Sequence, residues 1–362
     1  MRMETLLPPG KTDPGLRASD RPLDLSQVAR DAALVEDLGY SQIGVEETKT
    51  DPYVVMALAA QATRRLGLTT AVAMAFPRSP TTTAMSAWNL QDLSAGRFTL
   101  GLGSQVKGHI QRRYGLDFHP PGPWMRDYVH AIRAVWDCWQ NGTRLDFESA
   151  HYRLNLMVPL FDPGPIEHPD IPIHLAAVNP YMCRVAGEVA DGVRPHPVCT
   201  ADYIAGVMLP AVRDGTARSG REAADIAVCI KPLIATAADE EGLAAKIRDV
   251  RARVAFYAST PGYRRCFVHH GLEDLALELE QLSRAQRWEE MPERISDEVL
   301  HLYATVGTYD EIADRLVERY GALVTNAEFS IPVDGPAERE RLAAMIADLE
   351  ARSLPPGARA AA

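Results

Sequence analysis

Leu93-Ser94-Ala95-Gly96-Arg97-Phe98-Thr99-Leu100-Gly101-Leu102-Gly103 ends a helix, turns the chain and opens a strand without a spare residue. Thr81 to Leu93 reads as the helix, Ser94-Ala95-Gly96 as the turn, and Arg97 to Leu102 as an apolar strand. Upstream the same unit recurs. Met3–Leu7, Ser41–Val45 and Leu68–Ala75 are strand-like runs, and helical stretches follow each of them. Asp24 with Gln27 three residues on predicts a capped helix to about Leu38, and Asp51-Pro52 predicts the start of another to Leu66. Four strand-helix units in so short a span predict a parallel sheet wound by right-handed crossovers.

Downstream the scheme repeats with longer interruptions. Trp124–Trp139 predicts a helix, with Trp88, Trp124, Trp136 and Trp139 as core or subunit contacts, and Leu145–Leu156 alternates like a hairpin. Ile171–Ala177, Asp191–Arg194, Ile226–Ala235 and Ala327–Ile331 predict four further strands, with helices over 181–189, 201–218, 240–257 and from Thr308-Tyr309-Asp310-Glu311 to Tyr320. Residues 260–305 read as a helical insertion with no clear strand. Eight alternating units predict a closed α/β barrel, with a doubly wound open sheet of similar count as the alternative. The expected organisation is one barrel domain over residues 1–362, with insertions around 110–160 and 260–305.

Composition narrows the partners. Hydrophobic residues make up 46% of the chain and charged residues 24%, enough for a large buried core. Lys and Arg number 38 against 48 Asp and Glu, a formal charge of −10 that disfavours a phosphate backbone as partner. No apolar run approaches the roughly 20 residues of a membrane span. Cys138, Cys183, Cys199, Cys229 and Cys266 contain no CxxC pair, so free thiols in a cytoplasmic protein are expected.

In a barrel the chemistry sits just beyond the C-terminal ends of the strands. Four of those places are polar: Glu46-Glu47-Thr48-Lys49, Gly103-Ser104-Gln105-Val106-Lys107-Gly108-His109, Val178-Asn179-Pro180 and Pro195-His196-Pro197. Gly101-Leu102-Gly103 begins a dinucleotide fingerprint but has Val106 where the third glycine belongs. The two glycines would still let backbone approach a planar or anionic ligand. There is no GxSxG and no His-x-His, and the adjacent His269-His270 would point opposite ways if extended, so neither a serine triad nor metal catalysis is expected.

Leu38-Gly39-Tyr40, Asp51-Pro52, Leu66-Gly67-Leu68, Arg78-Ser79-Pro80, Leu93 to Phe98 and Leu100 to Gly103, with Gly187-Glu188-Val189-Ala190-Asp191-Gly192 downstream, together resemble the bacterial luciferase-like family of flavin and deazaflavin oxidoreductases. The resemblance spans about residues 20 to 350 and implies a (β/α)8 TIM barrel with a flavin-type ring in its mouth. Gly103 to Lys107 with His109, Arg112 and Arg113 is similar to the branch that uses coenzyme F420 in place of FMN. It further implies a non-proline cis peptide within Ala71–Ala75, cofactor contacts at Ala73, Met74, Gly103, Ser104, Gln105, Lys107, His109, Ala177, Val178 and Asn179, and a catalytic acid or contact among Glu46, Glu47 and His196. A carboxylate buried against the ring would exchange protons near neutrality.

The expected function is therefore hydride transfer between F420 and a small organic substrate by a cytoplasmic homodimer, with no nucleic acid, membrane or metal. An FMN-dependent monooxygenase served by a separate reductase, or a non-catalytic flavin-binding barrel, are the alternatives.

Overall fold

The computed structural model describes residues 1–10 and 23–352. Eight parallel strands form the barrel: β1 Arg2–Leu6, β2 Gln42–Val45, β3 Gly67–Thr70, β4 Phe98–Gly103, β5 Ile173–Ala177, β6 Gly192–Pro195, β7 Ala227–Ile230 and β8 Asn326–Glu328. Their order runs β3-β2-β1-β8-β7-β6-β5-β4, and β3 pairs with β4 through Leu68 opposite Phe98 and Thr69 opposite Thr99. That pairing closes the sheet. The open-sheet alternative is excluded, and the fold is the (β/α)8 barrel expected.

The motif from Leu93 to Phe98 owes its character to one guanidinium. Arg97 donates to the carbonyls of Ser94 at 2.8 Å, Leu66 at 2.6 Å, and Ala60 and Thr63 at 3.1 Å, and to the Thr63 hydroxyl at 2.9 Å. These oxygens belong to the end of the helix Pro52–Ala62, the turn after it, and the turn at Ser94. Carbonyls at a helix end have no intrahelical partner, and one planar fork satisfies several at once. Ala95 and Gly96 place it by adopting left-handed φ values of 51° and 84°. A side chain at Gly96 would press on the His168 ring at 2.9 Å.

Trp88, Trp136 and Trp139 are buried against one another, and Trp124 stacks on Phe76 at 3.6 Å, so the four tryptophans are core contacts. The hairpin is present as Phe147–Glu148 against Arg153–Leu154.

Four sequence readings change. The first helix starts at Val28, because the Asp24 carboxylate is taken by the amide and hydroxyl of Ser26. The Thr308–Glu311 box is half formed: Glu311 accepts from the Thr308 amide and hydroxyl, and the helix begins at Ile312. The run Ile226–Ala235 is two strands rather than one. Pro232 cannot donate to the ladder, and beyond it Leu233–Ala237 leaves the barrel. It pairs in parallel with Ala304–Thr308, a strand missed at the edge of the helical insertion.

Replacing Arg97 by Ala leaves several buried carbonyls unpaired and is expected to cost about 3 kcal/mol. Lys, lacking the fork, should recover less than half. Urea unfolding of both variants checks this, and a loss within experimental error for Arg97→Ala would remove the clamp from the account.

Candidate active site at the barrel mouth

β3 does not run straight into the mouth. After Thr70 it bulges through Ala71-Val72, whose peptide is the non-proline cis bond expected in this segment, and returns as Ala73–Met74 to pair with Leu102 and Gly103. The glycines of β4 make room for this. A Cβ on Gly101 would overlap the Thr70 carbonyl oxygen, and one on Gly103 would stand 2.6 Å from a Val72 methyl. Thus Gly101 and Gly103 admit the neighbouring strand before they admit any ligand. Nearby, the Cβ position of Gly44 is bounded by Leu6, Ala71 and the Thr69 methyl, and that of Gly103 by Val72 and Ala176, all apolar groups and mostly small.

Polar groups fasten the bulge from two sides. The amide of Glu47 donates to the Val72 carbonyl at 3.4 Å, and its carboxylate accepts the Met74 amide at 2.7 Å. Arg78 donates to the same carboxylate at 2.7 Å and to Asp51 at 2.8 Å, while lying over the Tyr53 ring. Burial works against the Arg78 charge, but the bonds to Glu47 and Asp51 outweigh it and hold the guanidinium above its ordinary pKa. On the other side Gln105 takes a left-handed φ of 58° and reaches the Met74 sulfur at 3.3 Å while accepting the amide of Val106. Ala73, Met74, Gly103, Gln105 and Glu47 are therefore brought together, with Ser104 half-buried between them.

Across the mouth stands a file of charge. Lys231, directly after β7, lies 3.1 Å from Glu46 at the end of β2 and 3.8 Å from Glu328 in β8. Deeper, Arg194 of β6 pairs with Glu4 of β1, both almost fully buried. His174 of β5 and Cys229 of β7 sit beside them, Nδ1 to Sγ 3.7 Å. Burial first, and the Arg194 charge second, push the His174 pKa down to about 3. Burial pushes the Cys229 thiol up to about 12.

The remaining sequence-predicted residues are dispersed. Ala177 is buried at the end of β5, the Val178 carbonyl accepts the Tyr203 hydroxyl at 3.1 Å, and Asn179 precedes the helix Pro180–Val189 without a side-chain cap. His196 is stacked on Tyr263 at 4.2 Å, and its Nδ1 accepts the Val198 amide. Lys107 and His109 are exposed on the short helix Lys107–Arg112, with Lys107 over the Phe118 ring. Lys107, Arg112 and Arg113 enter no ion pair among the described residues.

The structure also shows what sequence reading passed over. The sequence assigns no site role to Arg78, Lys231, Glu328, Glu4 or Arg194, although Ile230-Lys231-Pro232 ends a strand as plainly as Val45-Glu46-Glu47 does. Beside the bulge an open cleft of about 400 Å³ is lined by Phe76, Arg78, His119, Trp124, His151 and Tyr152. His151 is held there by Asp127 at 2.6 Å on Nδ1.

The family model for luciferase-like monooxygenases matches residues 1–326, and the chain belongs to that family. An uncharacterized protein of Mycobacterium tuberculosis is 39% identical over 327 residues, covering 90% of this chain and 95% of the relative. A second protein of that organism, provisionally named a coenzyme F420-dependent oxidoreductase, is 30% identical over 87% of this chain and 92% of its own. Among solved structures, the coenzyme F420-dependent tetrahydromethanopterin reductase of Methanopyrus kandleri aligns with TM-score 0.74 at 19% identity, covering 98% of this chain and 99% of that one. The EDTA monooxygenase of Chelativorans sp. BNC1 aligns with TM-score 0.72 at 14% identity, over 98% and 95%. The chain is thus an oxidoreductase of the luciferase-like class. No helix among the described residues is long and apolar enough to cross a membrane.

His174 gives the barrel interior a pH signature. The folded chain refuses the proton down to about pH 3, while an unfolded histidine accepts it near 6.5. Stability should therefore fall as the pH drops below about 6.5, with this residue contributing up to ~1.4 kcal/mol per pH unit. His174→Gln should flatten the dependence between pH 7 and 5 by about one proton. An unchanged slope in denaturation at several pH values would contradict the buried neutral imidazole.

Proposed function

We propose that this protein transfers a hydride between coenzyme F420 and a small organic substrate at the mouth of its barrel. The observation that carries the reading is the group of small apolar residues at Gly44, Ala71, Val72, Gly103 and Ala176, with the Glu46–Lys231 pair at the ends of β2 and β7. A flat heteroaromatic ring can rest on such small apolar groups, while the Cβ space of Gly103 itself is taken up by the Val72 side chain. When bound, F420 supplies a carbon that gives or takes a hydride. The protein has to orient, exclude water and manage a proton.

Ala73, Met74, Gly103, Ser104 and Gln105 form the wall against the ring. Glu47 is a positioning residue, because Arg78 and the Met74 amide already occupy its carboxylate. Glu46, held by Lys231 at 3.1 Å, is the carboxylate placed to contact the substrate. Ala177, Val178 and Asn179, at the start of a ten-residue helix, suit the cofactor phosphate. Lys107, His109, Arg112 and Arg113 outside the mouth suit an anionic tail, and this locally positive segment on an acidic chain favours F420 over the shorter FMN. His196, stacked on Tyr263, forms the far wall. The cleft at Phe76, Trp124 and His151 is the approach for the substrate.

Titration of the purified chain with F420 and with FMN, followed by fluorescence quenching, is expected to show saturable micromolar binding of F420 and at least ~10-fold weaker binding of FMN. Exposed charges contribute roughly 0.2–1 kcal/mol each. Lys107→Ala combined with Arg113→Ala should therefore weaken F420 several-fold, and more at low salt. Micromolar FMN binding without a response to F420 would overturn the proposal in favour of the monooxygenase reading.

A further inference from the structure

His269 and His270 do not point apart. His269 continues the helix Arg264–Val268 in helical conformation, His270 follows in the turn, and their rings meet edge to face at 4.8 Å. Asp202, from the segment after β6, bonds His269 Nε2 at 2.8 Å. Thr200 bonds His270 Nε2 at 2.9 Å, and its oxygen also accepts the Tyr203 amide. One donor atom from each of Asp202, His269 and His270 lies within 4.8 Å of the other two.

We propose that Asp202, His269 and His270 form a binding site for a divalent transition-metal ion of the zinc class, outside the barrel mouth. Two imidazoles and one carboxylate are the donor set such borderline ions take, at metal–ligand distances of about 2.0–2.2 Å, with water completing the tetrahedron. Around one tetrahedral ion donor atoms stand roughly 3.4 Å apart, and these three already lie within 4.8 Å of one another. Thr200 orients the His270 ring as outer-shell partners of metal-bound histidines do.

The two halves of the site come from segments distant in sequence. Thr200 and Asp202 continue the chain from His196, and His269 and His270 lie early in the insertion whose Tyr263 stacks on His196. An ion here ties the insertion to the barrel beside the wall of the mouth. It is a structural tie, with no role in the redox step.

The test is titration of the full chain with Zn(II) against a chromophoric chelator, with the thermal midpoint read in parallel. One equivalent is expected to bind and to raise the midpoint, since a ligand of the folded state alone stabilises it. His269→Ala with His270→Ala should abolish both effects, and the exposed Asp202→Asn should weaken binding by at least ~10-fold. His151→Ala, in the separate cluster with Asp127 and His119, should leave them intact. Absence of a bound equivalent, its retention in the double variant, or its loss in His151→Ala would each overturn the proposal.

Discussion

The structure turns on how closely β3 and β4 approach. Gly101 and Gly103 carry no Cβ, so the Thr70 carbonyl and the Val72 side chain occupy the space where one would be. Low in the barrel the two strands pair at Leu68 and Phe98 and close the sheet. Higher up the same closeness forces β3 to bulge before it re-pairs at Ala73 and Met74. Closure and ledge are thus two results of one constraint. Glu47, Arg78 and Gln105 then hold the bulge from its two flanks, so that groups far apart in the chain share one small region.

The architecture was legible because its signal is repetitive. A strand buried on both faces is a short apolar run, each helix starts or stops at a Pro, Gly or acidic cap, and eight such units leave few topologies. Where local signal and tertiary demand diverge, the reading slipped. Pro232 sits inside a run whose hydrophobicity continues unbroken, so two strands of different sheets read as one. Ala304–Thr308 is too short and too small in side chain to stand out from helical neighbours. Asp24 looked like a cap because its spacing to Gln27 is right, but Ser26 competes for its carboxylate from two residues away.

The site was legible in part, for a related reason. Residues after strands two, four, five and six stand out as polar runs, whereas Lys231 is a single charge followed by proline and carries no such signal. Glu4 and Arg194 lie inside strands, where a charge reads as an outward-facing residue until the pairing across the barrel is known. The glycines of Gly101-Leu102-Gly103 were seen as ligand-admitting, and their first partner is another strand. Arg97 shows the same thing from the other direction: the most recognisable motif of the chain is a clamp on a helix end, with no part in the chemistry.

On the proposed function, the cofactor ring rests on the ledge built by the β3–β4 approach, with Glu46 and Lys231 at its rim. A crystal structure of the protein with F420 tests it most directly. The deazaflavin ring is expected against Ala71 to Met74 and Gly103, with Glu46 beside the bulge at the end of β2, Lys231 reaching it from β7, and the tail leaving past Lys107. A ring found away from that ledge, in the Phe76–Trp124 cleft or on the outer surface, would contradict it.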